Sequence, residues 1–216
     1  MQNLKNKKIK KCLLCGNKNL KNILDLGNFY ISNFVQRKNV KKGLKAPLTL
    51  NYCKRCTLIQ LSHIAPQELM YKKFYWYKSG INQTMRDELK DLYRAALKIV
   101  KIKKNDVVLD IGANDGTLLN YFKKKGIKTI GCEPAKNLKI ELKKNCNYMI
   151  NDFWSKKKLD YLLENKKLKK PKIITAIGMF YDLEYPNEFI KDAANSLHED
   201  GVFIAQLMCL NSMIKK

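Results

Sequence analysis

The chain has no apolar run approaching the ~20 residues that a bilayer-spanning helix requires, which argues against a membrane-embedded function. Its basic N-terminus, Met1 to Lys11, is not followed by the apolar core of a secretory signal, so the cytoplasm is the expected compartment. Two phosphate-cradling signatures are missing as well. The loop bearing Gly112 and Gly116 is not G-x-G-x-x-G, and it lacks the Lys-Ser/Thr of a P-loop. Acidic residues are scarce: 19 Asp and Glu stand against 43 Lys and Arg, a formal charge of +24. Such an excess invites a nucleic-acid partner. Here it is nearly all lysine, scattered over prospective helix faces along the whole length, with abundant asparagine and isoleucine beside it. Coding bias produces that pattern as readily as selection does. A solvated lysine-rich surface is preferred to a polyanion groove.

What is present suffices for one domain and a smaller module: 216 residues, 45% of them hydrophobic. Seven cysteines are unevenly placed. Cys12-Leu13-Leu14-Cys15 and Cys53-Lys54-Arg55-Cys56 are two C-x-x-C knuckles separated by 37 residues. Each spacing lets both thiolates of a pair reach one ion, and two pairs complete a tetrahedral zinc site. A redox dithiol would need one pair on a strand–helix junction of the thioredoxin type, which this segment lacks. Four protein ligands leave no open position, so a zinc held there is structural. Cys132, Cys146 and Cys209 read as core or surface thiols, and His63 as a surface or packing residue. Short strands are expected around Ile23–Gly27, Ala46–Tyr52 and Leu58–Leu61, the first two joined by a polar loop. The expected organisation is a zinc module over 1–70, a connector with a helix over 71–100, and a larger domain over 101–216.

That larger domain alternates apolar runs with helical stretches, as a doubly wound, mostly parallel α/β sheet does. Strands are expected near 106–111, 128–132, 147–150, 172–177 and 201–207. Helices should fill 116–125, 135–145, 155–166 and 186–198. Val107 to Ile111 ends in a loop with Gly112 and Gly116 and then a helix start, the place where such sheets hold nucleotide-like ligands. Glu133 closes the second strand at the spacing from Gly112 that suits an acceptor for both ribose hydroxyls. Ahead of this domain, Lys73-Phe74-Tyr75-Trp76-Tyr77-Lys78-Ser79-Gly80 is the densest aromatic patch. It reads either as packing or as a hydroxyl-bearing flap over a site. A helix follows from about Asn82 to Val100, with Met85, Leu89, Leu92, Ala96 and Ile99 on its apolar face.

The strand–loop from Val107 to Gly116 resembles the first motif of class I S-adenosylmethionine-dependent methyltransferases. Paired C-x-x-C, then Tyr-x-Tyr-x-Ser-Gly, then this motif, in that order, resembles the NDP-sugar C-methyltransferase family from Cys12 to about Met213. The resemblance implies a Rossmann-like fold with a small zinc-binding module at its start. It implies that Gly112, Ala113, Asn114, Asp115 and Gly116 cradle the methionine part of S-adenosylmethionine. Asp110 would fix the loop or the donor's ammonium group. Asp152 and Phe153 fall at the family's adenine-contacting position. A catalytic tyrosine falls on Tyr75 or Tyr77, with Ser79 and Gly80 as the turn beneath it.

The acceptor side departs from the family. After the fourth strand the well-studied members place a histidine that helps deprotonate carbon. Here the nearest match is Asp182, beside Tyr181, so oxygen as well as carbon is open as the methyl acceptor. Asp182 as a helix cap is the competing reading. The acid/Asn-Pro-Pro-aromatic motif of base-methylating enzymes is missing. A complete fold of this class has seven strands. The resemblance therefore implies a C-terminally incomplete domain, with a complementing polypeptide as a possible partner. The leading expectation is methyl transfer to a nucleotide-activated sugar. The alternatives are a zinc-containing rRNA or tRNA methyltransferase and an inactive donor-binding fragment or subunit of a split enzyme.

Overall fold

The computed structural model describes residues 6–31, 37–38, 43–209 and 212. The chain divides into two compact units: Met1–Trp76 with Glu184–Asn187, and Tyr77–Leu183 with Glu188–Lys216. No helix among the described residues is long and apolar enough to cross a membrane.

The first unit is built on short antiparallel pairings. Strands β2 (Leu20–Tyr30), β3 (Lys45–Cys53) and β4 (Ile59–Leu61) form a sheet in that order, while β1 (Lys7–Lys8) pairs with β5 (His63–Ile64). The expected strands are present, and β2 runs further than its apolar core because the ladder with β3 continues through two irregularities. At the second of these the Asp25 carboxylate accepts the Gly27 N–H at 2.9 Å and the Thr49 hydroxyl at 3.0 Å. The expected connecting loop falls partly outside the described residues. Leu24, Leu26 and Phe29 on β2 are exposed. Among the described residues of this unit, the buried apolar side chains are Ile9, Cys12 and Cys53.

The second unit is a five-stranded sheet, parallel throughout. Strands β6 (Val107–Ile111), β7 (Lys128–Cys132), β8 (Tyr148–Ile150), β9 (Ile173–Ile177) and β10 (Val202–Gln206) lie in the order β10-β9-β6-β7-β8. The chain winds outward from β6 to β8, then returns to β9 on the other side of β6. That reversal opens the sheet beyond the carboxyl end of β6, where a ligand crevice forms. Helices α1 (Gln83–Ile99), α2 (Thr117–Lys123) and α3 (Lys139–Asn145) supply Leu89, Leu119, Phe122 and Leu142 to one core. Helices α4 (Lys156–Lys166) and α5 (Pro186–Ser196) supply Leu159, Leu163 and Phe189 to a second. The central strands β6, β7 and β9 are covered on both faces, which is why they read as near-continuous hydrophobic runs rather than alternations.

Asn82 caps α1, its side chain accepting the Thr84 N–H at 2.8 Å. One expectation for this helix is corrected. Ile99 is 68% exposed, and Val100 takes its place in the core. A stripe running from Leu89 through Tyr93 and Ala96 advances by three to four residues per turn, and its next position is 100.

Candidate active site and candidate metal centre

In the first unit the two knuckles have the same local shape. The Gly16 N–H donates to the Cys12 carbonyl at 3.0 Å, and the Thr57 N–H to the Cys53 carbonyl at 2.9 Å. Both turns then pass through positive φ, at Gly16 (72°) and at Thr57 (63°). These turns bring the four cysteine sulfurs within 4.8 Å of one another. Cys12 Sγ lies 3.5 Å from Cys56 Sγ, and Cys15 Sγ lies 3.6 Å from Cys53 Sγ. A disulfide would bring a pair to about 2.05 Å. A tetrahedron with Zn–S bonds near 2.3 Å has edges of about 3.8 Å, close to the separations found. The residues therefore fit a structural zinc with no open coordination position.

The sulfurs also show why a cation belongs among them. Cys53 accepts backbone N–H groups of Cys56 and Arg55, which against burial pull its thiol down to about 6. The Leu58 N–H works in the same direction on Cys56, but burial and three neighbouring thiols outweigh it and push Cys56 up to about 12. Four thiols cannot all ionise in one place unless a positive ion offsets their repulsion.

In the second unit the loop after β6 sits at the carboxyl edge of the sheet. Gly112 (φ 77°) and Gly116 (φ 79°) hold left-handed conformations. A Cβ on Gly116 would fall 2.8 Å from Asn145 Cβ, so only glycine lets the loop turn into α2 here. Asp110 is buried at the end of β6 and accepts the Thr175 hydroxyl at 2.6 Å. Burial pushes its carboxyl up to about 7, with the Thr175 bond opposing and the nearby Glu133 charge adding to the rise.

Glu133, 5% exposed, ends β7 as expected. One carboxylate oxygen accepts the Asn114 N–H at 2.9 Å and the other accepts the Ala135 N–H at 2.8 Å. Burial raises its pKa and these two bonds oppose the rise. Each oxygen keeps a second lone pair, so the group can still accept two ligand hydroxyls. Those free acceptor positions and the positive-φ glycines fit a nucleoside-bearing ligand.

Past β8, Asp152 accepts the Phe153 N–H at 2.9 Å and pairs with Lys158 at 2.5 Å. Beyond β9, Met179 lies against Gly112, where a Cβ would be 2.9 Å from Met179 Cγ. A 3₁₀ turn over Phe180–Asp182 follows, leaving Tyr181 and Asp182 exposed. Burial and the adjacent Asp182 raise the Tyr181 pKa.

The two tyrosine candidates separate. Tyr75 belongs to the first unit, its ring 5.7 Å from that of Tyr71. Tyr77 belongs to the second, where its carbonyl accepts the Asn114 side-chain N–H at 3.0 Å. Ala113, within the loop, is buried. Sequence reasoning missed Thr175 as the partner of Asp110. It also missed Asn145, whose side chain donates to the Asp115 carbonyl at 2.7 Å. Neither carries a local signal, since each acts on a residue far away in sequence.

A family model described as "Putative zinc binding domain" matches residues 12–71, and one described as "Methyltransferase domain" matches residues 81–213. Among curated proteins, the C-methyltransferase NovU of Streptomyces niveus is 22% identical over 132 residues. That stretch is 60% of this chain and 31% of NovU, so the chain spans less than a third of the relative's length. Among solved structures, the plantazolicin methyltransferase BpumL with a desmethylPZN analog and SAH is similar with a TM-score of 0.46 and 18% identity. The match covers 63% of this chain and 52% of that one. The precorrin-6y C5,15-methyltransferase of Geobacter metallireducens GS-15 gives a TM-score of 0.44 at 16% identity, over 70% of this chain and 76% of that one.

Proposed function

The chain belongs to the methyltransferase-domain family that its residues 81–213 match, and on that premise we propose that it transfers a methyl group from S-adenosylmethionine to a nucleotide-activated sugar. The observation that carries the donor half is the buried Glu133 carboxylate, bonded through the Asn114 N–H to the glycine loop at the sheet's reversal. The acceptor half is supported by the order of zinc knuckles, Tyr-x-Tyr-x-Ser-Gly and donor loop, and by the likeness to a protein named as a C-methyltransferase. The cytoplasm, where thiolate ligands stay reduced, is the compartment that suits this reading.

When bound, S-adenosylmethionine supplies an electrophilic methyl group on a sulfonium. The protein's task is then alignment and the exclusion of water. Glu133 would hold the ribose through the lone pairs its two backbone bonds leave free. Asp110, tied to Thr175, keeps the loop in place from beneath. The loop from Gly112 to Gly116 gives the methionine part a close backbone approach, and Asp152 with Phe153 marks the adenine end. Tyr77 and Asp182 are the groups assigned to the acceptor, the phenol positioning it and Asp182, exposed as it stands, serving as base once the acceptor buries it.

Titrating the metal-loaded full chain with S-adenosylhomocysteine tests the donor half. Glu133→Gln keeps one acceptor and removes the charge. Hydrogen bonds to a charged group contribute about 1.5–3 kcal/mol each, so the affinity should fall about tenfold or more. A wild-type chain with no affinity for S-adenosylhomocysteine overturns the reading. Radiolabelled methyl transfer to a panel of nucleotide sugars tests the acceptor half. A preference for RNA with a steep salt dependence would favour a nucleic-acid substrate instead.

A further inference from the structure

Asn114 and Asp115 lie in the donor loop, yet their side chains face a different task. Asn114 Oδ1 accepts the N–H of Ser79 at 2.9 Å, and its Nδ2 donates to the Tyr77 carbonyl at 3.0 Å. Asp115 Oδ2 accepts the N–H of Gly80 at 2.7 Å, while Oδ1 accepts from Thr117. Two consecutive loop residues thus bind three main-chain groups of the segment that follows Trp76. The fit is close. A Cβ on Gly80 would fall 2.8 Å from both Asp115 Oδ2 and Thr117 Oγ1. Asn114 also holds a left-handed backbone (φ 52°), a conformation that asparagine tolerates better than most residues. Its own N–H completes the chain of contacts by donating to Glu133.

We propose that Asn114 and Asp115 are positioning residues that couple donor occupancy to the placement of Tyr77. The proposal rests on the donor reading above. The Glu133 carboxylate that receives the Asn114 N–H would be fixed by the ribose hydroxyls of a bound donor. Asn114 held in place fixes Ser79 and the Tyr77 carbonyl, and Asp115 fixes Gly80. The segment that carries Tyr77, already docked on the loop, is then held more firmly when the methyl donor is present. Coupling of this kind is reciprocal, so an ordered segment also favours the bound donor.

Amide hydrogen exchange at Ser79 and Gly80, measured with and without S-adenosylhomocysteine, tests the coupling. Calorimetric titration of the same samples runs beside it. In the wild type the ligand should slow both amides by about tenfold or more. Asn114→Gly keeps the backbone conformation and removes the side chain. It should lose most of the ligand-dependent slowing at Gly80, whose own hydrogen bond to Asp115 the substitution leaves in place. Gly80→Ala pushes the segment off the loop without altering a loop residue and should lose the slowing as well. If Asn114→Gly still binds the ligand and keeps the wild-type slowing at Gly80, the side chain carries no coupling and the proposal falls. It also falls if the ligand binds wild type and exchange does not change. Absence of any binding heat in wild type refutes the donor reading itself, and the coupling with it.

Discussion

Removing the metal should unfold the first unit and leave the second intact. Of the three buried apolar side chains described in that unit, Cys12 and Cys53 are proposed ligands, which leaves Ile9. Full burial of one such side chain contributes about 1.5–3 kcal/mol. Structural zinc in small modules contributes an apparent ~10–16 kcal/mol at neutral pH. Half-buried side chains narrow that gap without closing it, because Leu24, Leu26 and Phe29 face solvent. The metal therefore decides whether the knuckles and their sheet persist. The assay is limited proteolysis with mass-spectrometric mapping, before and after treatment with a strong zinc chelator, together with metal analysis of the starting protein. About one zinc per chain should be found. Chelation should speed cleavage between residues 6 and 76 by orders of magnitude while fragments containing β6 to β9 remain protected. Cys56→Ser should reproduce the effect without chelator. Equal cleavage rates for the metal-free and metal-loaded forms would refute the assignment of the four sulfurs.

Three further outcomes are expected. Thr57 is a β-branched residue at φ 63°, so Thr57→Gly should stabilise the metal-loaded first unit by about 1 kcal/mol, read as slower proteolysis in urea. Gly131→Ala would place a Cβ 2.6 Å from Leu142 Cδ1, and its urea midpoint should report a loss of about 1–3 kcal/mol in the second unit. Asp110 links stability to pH. Its folded-state pKa of about 7 stands above the 3.8 of the free group, so its favourable contribution is complete below pH ~4 and lost as pH rises towards ~7. The urea midpoint of the second unit should fall over that window by more in wild type than in Asp110→Asn. An identical pH response in both would place the effect elsewhere, for instance on Glu133, which shifts in the same direction.

The elements of the second unit were legible because each announced itself locally. Val107 to Leu109 is an apolar run closed by Asp110, and Asn82 is a cap at a helix start. β7 and its closing Glu133 fall where the spacing places them. The cysteine cluster was legible for the same reason, since each knuckle is a local spacing. What stayed hidden are contacts made across long separations. The side chain of Asn114 meets Ser79 over 35 positions and that of Asp110 meets Thr175 over 65, and no periodicity encodes either pairing. The left-handed turn at Thr57 was equally hidden, because a threonine gives no hint of positive φ. Ile99 and Val100 were exchanged because a helical stripe drifts by a fraction of a residue each turn, and adjacent apolar residues cannot be told apart by spacing alone.

The tie between the donor loop and residues 77–80 bears on where this protein can be cut. The family match begins at residue 81, and a fragment started there would look like a self-contained donor-binding module. Such a fragment would strip Asn114 and Asp115 of the three backbone partners they hold, leaving their polar atoms to water beside a buried carboxylate. On the donor reading proposed above, the inheritable unit of donor binding is longer than the recognisable domain. Any transplant or minimal version of it should carry the chain from at least Tyr77, and recombination between related genes should be tolerated upstream of that residue rather than immediately after Gly80.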